Sequence, residues 1–282
     1  MKISTEIVSA HRIVGVEKSV ETIAKAGFDA WDFSISTLCE YDYENHALGG
    51  RFLGKDYLKI ARKLRQIGLD NGIYCNQSHA PCPSDWISIR TNLKRAIECT
   101  AEAGGKYCII HPLCYDTPQN NAEMYLELIP FAKKHNVKIA TENMFLWEND
   151  MACFAPCGTP ESFNEHLDIV DDEYLVACLD IGHAEMKGTN TNAVEMIKAL
   201  KGRLKCLHIH DNDKWHDLHQ IPFSGKVDFP PIVKALKEIN YEGDFTLESS
   251  SYLKDYNKDN ILLGAKKLAE SARKLADMFE EE

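Results

Sequence analysis

The sequence contains no long hydrophobic run. No stretch approaches the roughly 18 to 20 apolar residues that a helix needs to cross a bilayer. Residues 1–15 also lack the apolar centre of a secretory signal peptide. We therefore expect a cytoplasmic protein with no membrane partner.

The cysteines lack the spacing of a small disulfide or zinc scaffold. The 10 cysteines are spread over 282 residues, and no two of them form a C-x-x-C pair. In a long chain without an export signal, such cysteines are expected to be reduced thiols packed in the core. Cys75, Cys108, Cys178 and Cys206 fit this interpretation, since they fall within apolar segments.

The sequence has fewer basic than acidic residues. The 32 lysines and arginines are outnumbered by 43 aspartates and glutamates, which gives a formal net charge of −11. This balance opposes a polyanionic partner such as nucleic acid. The hydrophobic share of 44% and the charged share of 27% are typical of a globular protein. No linker or low-complexity tract divides the chain, so we expect a single domain over residues 1–282.

What is present is a regular alternation of short apolar segments with longer amphipathic ones. Eight strands are predicted, at residues 2–8, 28–33, 73–78, 107–111, 138–143, 175–180, 204–210 and 244–249. Helices are predicted between them, for example at 16–26, 57–71, 84–103, 122–135 and 230–239, with a closing helix over 266–282. Eight such rounds predict an α/β protein with a single (β/α)8 TIM barrel, whose active site lies at the carboxyl ends of the strands.

Polar side chains gather where the predicted strands end. A lone residue of this kind is usually a helix cap or a hydrogen-bonded core histidine. Glu142 and Glu248, however, each end an apolar strand, where an unpaired buried carboxylate would cost several kcal/mol. A shared cation removes that cost. The oxygen-rich set suits one divalent ion, Mn²⁺, Mg²⁺ or Co²⁺, with Zn²⁺ as a further candidate.

Four motifs give the sequence a family resemblance. They are T-E-N at 141–143, L-D-I-G-H-A at 179–184, H-I-H-D-N at 208–212 and L-E at 247–248. By these motifs the chain resembles the xylose-isomerase-like TIM-barrel superfamily, which contains sugar phosphate isomerases/epimerases, ketose 3-epimerases, inosose dehydratase and endonuclease IV. The resemblance implies a metal site formed by Glu142, Asp180, His210 and Glu248. We expect His208 to face away from His210 and to pack against the helices.

The resemblance also implies a reaction and a substrate class. The expected function is isomerisation or epimerisation of a small sugar by proton transfer through an enediolate, with Glu142 and Glu248 as the acid–base pair. The residues expected to bind the substrate are His79, His111, Glu148, His183, Asp217 and His219. The arginine that ketose 3-epimerases place six residues after the histidine ligand is absent, because His216 stands there. Near the rim we expect only scattered basic residues, Lys187, Lys214 and Lys226, which favours an unphosphorylated substrate.

Three alternatives remain open. A dehydratase acting on an inosose or on dehydroshikimate could use the same metal site, and so could an endonuclease IV-like nuclease with three zinc ions. Segment 34–55 opposes DNA binding, since it carries Glu40, Asp42 and Glu44. A barrel that binds metal without catalysis is the third alternative. A homo-oligomer is compatible with each of these functions.

Overall fold

The strands of the barrel are short and follow the predicted order. A computed structural model describes residues 1–281. Its barrel strands are β1 (Ile3–Glu6), β2 (Ala30–Ser34), β3 (Tyr74–His79), β4 (Tyr107–Ile109), β5 (Lys138–Glu142), β6 (Leu175–Asp180), β7 (Leu204–His208) and β8 (Phe245–Leu247).

These eight strands form one parallel sheet in which each is paired with its neighbour in sequence. Ile3 pairs with Phe245, which joins β1 to β8. A bridge between Ile209 and Leu247 joins the end of β7 to β8 and completes the ring. The predicted (β/α)8 barrel is therefore confirmed.

The helices lie between the strands and around the ring. They are α1 (Val8–Val14), α2 (Val16–Ala26), α3 (Tyr57–Asp70), α4 (Ile87–Arg90), α5 (Leu93–Ala103), α6 (Pro118–His135), α7 (Pro160–Val170), α8 (Ile181–Ala184), α9 (Ala193–Leu200), α10 (Phe229–Glu238) and α11 (Ile261–Glu280). No helix within residues 1–281 is long and apolar enough to span a bilayer.

Two predicted helices show the largest differences in their bounds. The segment 84–103 is divided into α4 and α5 at residues 91 and 92, where the Asn92 side chain donates a hydrogen bond to the Ser88 carbonyl and competes with the backbone pattern of the helix. The closing helix begins earlier than predicted, at Ile261, and the predicted last residue, Glu282, lies outside the described residues.

Two of the long connections contain antiparallel hairpins. Strand Glu40–Asp42 pairs with Ala47–Gly49 after β2, and Leu146–Glu148 pairs with Met151–Cys153 after β5. Both hairpins follow barrel strands, so they lie on the face where the carboxyl ends of the strands meet.

The core has an outer and an inner part. Most apolar side chains pack between the ring and its helices, whereas a smaller cluster fills the interior of the ring with Ile109, Ala140, Val176, Cys178 and Cys206. Another interior layer is polar, with Ser4 donating to Asn76 and Asn76 donating to Thr246, each at 2.9 Å. All ten cysteines are unpaired. Since these layers fill the interior below it, the carboxyl end is left to larger polar side chains.

Candidate metal and active site

Four ligand-type side chains converge at the carboxyl end of the barrel. Glu142, Asp180 and His208 end β5, β6 and β7, and Glu248 directly follows β8. Cys178 lies beside Glu142, and Asp180 lies beside His208. Because alternate residues of a strand share a face, Glu142, Asp180 and His208 all point into the ring. One ligand atom from each of the four residues lies within 4.8 Å of the others, and we call this group the metal cluster.

The prediction for His208 was wrong. Residues two apart in a strand point to the same face, so His208 and His210 cannot face opposite sides of a regular strand. His208 is fully buried inside the ring, with Nδ1 3.0 Å from Glu142 Oε1 and 3.5 Å from Glu248 Oε2. In this four-residue group His208 occupies the place at which His210 was expected.

His210 belongs to a second group beside the metal cluster. This second group consists of His183, His210, Asp217 and His219. The carboxylate of Asp217 joins it, since Oδ1 lies 3.4 Å from His210 Nε2 and Oδ2 lies 2.9 Å from His219 Nε2. His210 Nε2 is also 3.1 Å from Asp180 Oδ1, so the two groups touch.

Two further histidines lie on the other side of Glu142. The Nε2 atoms of His79 and His111 are 2.9 Å apart. His111 Nε2 is 3.2 Å from Glu142 Oε2, and His79 Nε2 is 3.6 Å from the same oxygen. Of the residues predicted to bind substrate, His79, His111, His183, Asp217 and His219 thus lie around the metal cluster.

Several acceptor atoms at this end of the barrel are buried without a hydrogen-bond partner. They include Glu142 Oε2, Asp180 Oδ2 and Asp217 Oδ1. An uncompensated buried carboxylate oxygen costs free energy, and a cation bound between such oxygens removes the cost. The metal cluster therefore fits a divalent ion by its donor set and by its unsatisfied oxygens.

The neighbouring imidazoles keep these carboxyl groups ionised. Burial would raise the pKa of Glu142, but the charge of His208, its contact with Glu142 Oε1 and the nearby imidazoles of His111 and His79 hold that pKa well below its ordinary value. The pKa of Asp180 is lowered to about 2, because His183 and His210 outweigh the effect of burial. Burial opposes a charge on His219 as well, yet Asp217 raises the pKa of that imidazole to about 10. Ionised carboxylates are the form that binds metal.

A cavity of about 320 Å³ opens above this site. Its wall includes Glu142 and Glu248 together with the predicted substrate-binding residues His79, His111, His183, Asp217 and His219. Phe145, whose ring stands edge-on to His183 at a centroid distance of 4.9 Å, supplies an aromatic wall. A concave site with a few convergent polar groups is typical of small-molecule binding.

The structure does not bring Glu148 to this cavity. Glu148 lies on the hairpin after β5, where its side chain is exposed. If the count begins at His208 and not at His210, the position six residues later is Lys214 and not His216. Lys214 Nζ lies 3.0 Å from Glu185 Oε2, and the Lys187 ammonium lies over the ring of Trp215. Among the described residues that line the cavity, Arg12 alone is a lysine or an arginine.

Sequence reasoning missed two buried acids, Glu6 and Asp32. Both lie at or near the carboxyl ends of their strands, and they stand side by side in the pairing of β1 with β2. Glu6 Oε2 accepts a hydrogen bond from the Ser9 amide, while Oε1 has no partner. Burial is the main reason that the pKa of Glu6 is raised to about 7. The signal was available, since Glu6 and Asp32 are carboxylates near the ends of predicted strands, as are Glu142 and Glu248.

Related sequences agree with this architecture. The sequence model of one family, described as xylose isomerase-like TIM barrel, matches residues 20–282. The uncharacterized protein MJ1311 of Methanocaldococcus jannaschii is 26% identical over 264 residues, which cover 87% of this chain and 82% of the relative. An inosose dehydratase of Clostridium botulinum is 30% identical over 108 residues, which cover 32% of this chain and 36% of the dehydratase.

Solved structures share the fold over nearly the whole chain. A D-tagatose 3-epimerase-like protein superposes with a TM-score of 0.72 at 23% identity, covering 98% of this chain and 99% of its own. The IolI protein, solved with a bound zinc atom, superposes with a TM-score of 0.69 at 19% identity, covering 99% of this chain and 98% of its own. At these identities the likeness concerns the fold.

Proposed function

Because the chain belongs to the xylose isomerase-like TIM-barrel family, we propose that it is a divalent-metal-dependent isomerase or epimerase of a small sugar or sugar derivative. The observation that carries this proposal is the metal cluster, whose four ligand atoms lie within 4.8 Å of one another beneath a cavity of about 320 Å³. The shared fold with an epimerase-like protein and with a zinc-binding protein supports it.

The proposed cofactor is one divalent ion, Mn²⁺, Mg²⁺, Co²⁺ or Zn²⁺. Glu142, Asp180, His208 and Glu248 would hold it, since three carboxylates and one imidazole form an oxygen-rich donor set. When bound, such an ion supplies positive charge that stabilises the negative charge developing on a substrate oxygen.

Glu142 and Glu248 are the proposed acid–base pair. Both line the cavity, Glu142 with its side chain 1% exposed and Glu248 with its side chain 18% exposed. One carboxylate takes the proton from the carbon beside the substrate carbonyl, which leaves an enediolate. The other glutamate, which begins the step in its protonated form, gives its proton either to the neighbouring carbon or to the opposite face of the same carbon, and the sugar is isomerised or epimerised. Exchange with solvent then restores both carboxyl groups.

The surrounding histidines are the proposed recognition groups for substrate hydroxyls. His183, His219 and Asp217 lie on one side of the metal cluster, and His79 and His111 lie on the other. Arg12 is exposed, and the other wall residues offer mainly carboxylates and imidazoles. A phosphate group would prefer clustered arginine or lysine. We therefore propose a small unphosphorylated carbohydrate as the substrate.

Proton exchange tests this proposal directly. The purified protein is loaded with Mn²⁺ and incubated in D₂O with a panel of ketoses and aldoses, and NMR then follows deuterium incorporation and product formation. We expect exchange at a carbon beside the carbonyl together with an isomer or epimer of the sugar. Metal-loaded protein that exchanges no substrate proton across the panel would contradict the proposal.

A dehydratase is the second candidate, because a stretch of the chain is similar to an inosose dehydratase. Such an enzyme removes the same kind of proton and then expels a hydroxyl group as water. The D₂O experiment separates the two functions. An unsaturated or deoxy product with the mass of the substrate less one water would identify the dehydratase.

The second group favours one further candidate, a nuclease with several metal ions, because His183, His210, Asp217 and His219 could hold an additional ion. The net charge of −11 opposes this candidate, since DNA-binding surfaces are rich in lysine and arginine. Elemental analysis separates the possibilities: about one ion per chain supports the sugar enzyme, and three zinc ions would support the nuclease.

A further inference from the structure

Asp32 lies beside the metal cluster, in contact with one of its members, and it also borders the cavity. It is fully buried in β2, and its Oδ2 lies 3.4 Å from His208 Nε2. The other ring nitrogen, Nδ1, faces Glu142 and Glu248 within the metal cluster. We propose that Asp32 is a positioning residue that keeps the hydrogen of His208 on Nε2, so that the lone pair of Nδ1 faces the bound ion. This inference rests on the proposed metal site.

The position of Asp32 is itself fixed by the sheet. Gln77 lies beside Asp32 in the pairing of β2 with β3, and its Nε2 donates to Asp32 Oδ2 at 2.9 Å. The same amide group lies 3.4 Å from the carbonyl oxygen of Leu207, the residue before His208. Gln77 therefore links Asp32 on β2 to the backbone of β7. Asp32 cannot turn away from the imidazole without losing its hydrogen bond from Gln77.

Within residues 1–281, His208 is the ion-pair partner of Asp32. Asp32 Oδ1 has no hydrogen-bond partner. A buried carboxylate needs a polarised donor close by, and the Nε2–H group of an imidazole is such a donor. The carboxylate in turn orients the ring and makes the opposite nitrogen a stronger ligand.

A competing arrangement shows why Asp32 is needed. An imidazole that binds a metal ion has lost its positive charge and carries one hydrogen, which can be on either nitrogen. His208 Nδ1 lies 3.0 Å from Glu142 Oε1, so the hydrogen could sit on Nδ1 and be donated to Glu142. In that tautomer the nitrogen that faces the metal cluster has no free lone pair. Asp32 favours the other tautomer, and its loss should weaken the affinity for metal.

The test compares the affinity of three variants for Co²⁺ alone, measured by isothermal titration calorimetry on protein stripped of metal. Asp32→Asn keeps the shape and an acceptor oxygen but loses the charge, and we expect Co²⁺ binding to weaken roughly 10-fold. Asp32→Ala removes the acceptor as well, and we expect a loss nearer 100-fold. Ser4→Ala is the control, because Ser4 is a buried interior residue that hydrogen-bonds Asn76 and not His208.

A second readout reports the tautomer itself. In long-range ¹H–¹⁵N spectra of the Zn²⁺-loaded wild type, we expect the hydrogen of His208 on Nε2. Equal Co²⁺ affinity in Asp32→Asn and wild type, an equal loss in Ser4→Ala, or a hydrogen on Nδ1 would overturn the inference while leaving the proposed function intact. Wild type that binds no divalent ion would instead overturn the proposed function. If Asp32→Ala does not fold, the near-isosteric Asp32→Asn decides.

Discussion

Gly182 is the point at which the second group can be perturbed by a single methyl group. It lies in α8, and a Cβ at this position would be 2.0 Å from His210 Cε1 and 2.3 Å from His210 Nε2. Nonbonded carbon atoms approach only to roughly 3.5–4.0 Å, so Gly182→Ala must displace the ring by about 1.5 Å. The ring is fully buried and stacks on His219 at a centroid distance of 4.1 Å, so it cannot move without disturbing that contact.

The expected cost follows from three contributions. Overpacking of this kind typically costs about 1–3 kcal/mol. Loss of the 3.1 Å contact between His210 Nε2 and Asp180 Oδ1 adds about 1 kcal/mol. Alanine in a helix is favoured over glycine by about 1 kcal/mol, which offsets part of the cost. We expect Gly182→Ala to lower the free energy of unfolding by about 2 kcal/mol, which lowers the Tm of a 282-residue chain by roughly 3–4 °C.

Scanning calorimetry at one fixed scan rate measures this change. Gly202→Ala is the matched control, because a Cβ at Gly202 meets no atom within 4 Å. We expect its Tm to equal that of the wild type. A Gly182→Ala variant that unfolds at the wild-type temperature would show that His210 is not packed against Gly182 as described.

Four further predictions concern the site. Chelation should abolish activity and lower the Tm, and Mn²⁺ should restore both, as activity assays and thermal scans can check. Glu142→Gln and Glu248→Gln, shown by elemental analysis to retain metal, should each lower kcat by about 10²- to 10⁴-fold; near-normal turnover in both would refute the two-glutamate mechanism. Burial raises the pKa of Glu6 from 4.5 to about 7, so between these values the folded state holds a proton that the unfolded state has released, and stability falls as the pH rises. Glu6→Gln should therefore raise the Tm above this pH window and change it little below. Metal-loaded protein should not nick an abasic DNA duplex at roughly physiological salt, and cleavage in a gel assay would favour the nuclease.

The barrel could be predicted because each strand carries its own local signal. Apolar and β-branched residues mark β5 and β6, and amphipathic segments such as α2 and α3 separate the strands with a helical period. The bounds were less certain. A periodic pattern does not reveal the interruption between α4 and α5, where the Asn92 side chain donates a hydrogen bond to the Ser88 carbonyl.

Part of the site could also be predicted. Glu142 and Glu248 stood out because a carboxylate at the end of an apolar strand needs a partner, and the motif resemblance added Asp180. The structure brings all three together. The same reasoning applied to Glu6 and Asp32 would have found both. Glu148 could not be placed in advance, since the hairpin after β5 turns it toward solvent.

The sequence by itself determined the order of strands and helices and the end of the barrel at which polar side chains gather, because both depend on periodicity within short segments. The tertiary structure alone decided which histidine joins which group. His208 and His210 are both histidines at the end of β7. His208 lies beside Asp180 in the sheet and contacts Glu142 across the ring. His210 lies two residues beyond the end of β7 and contacts Asp217 and His219. These partners come from β5, from β6 and from the loop after β7, and only the closure of the ring sets their distances.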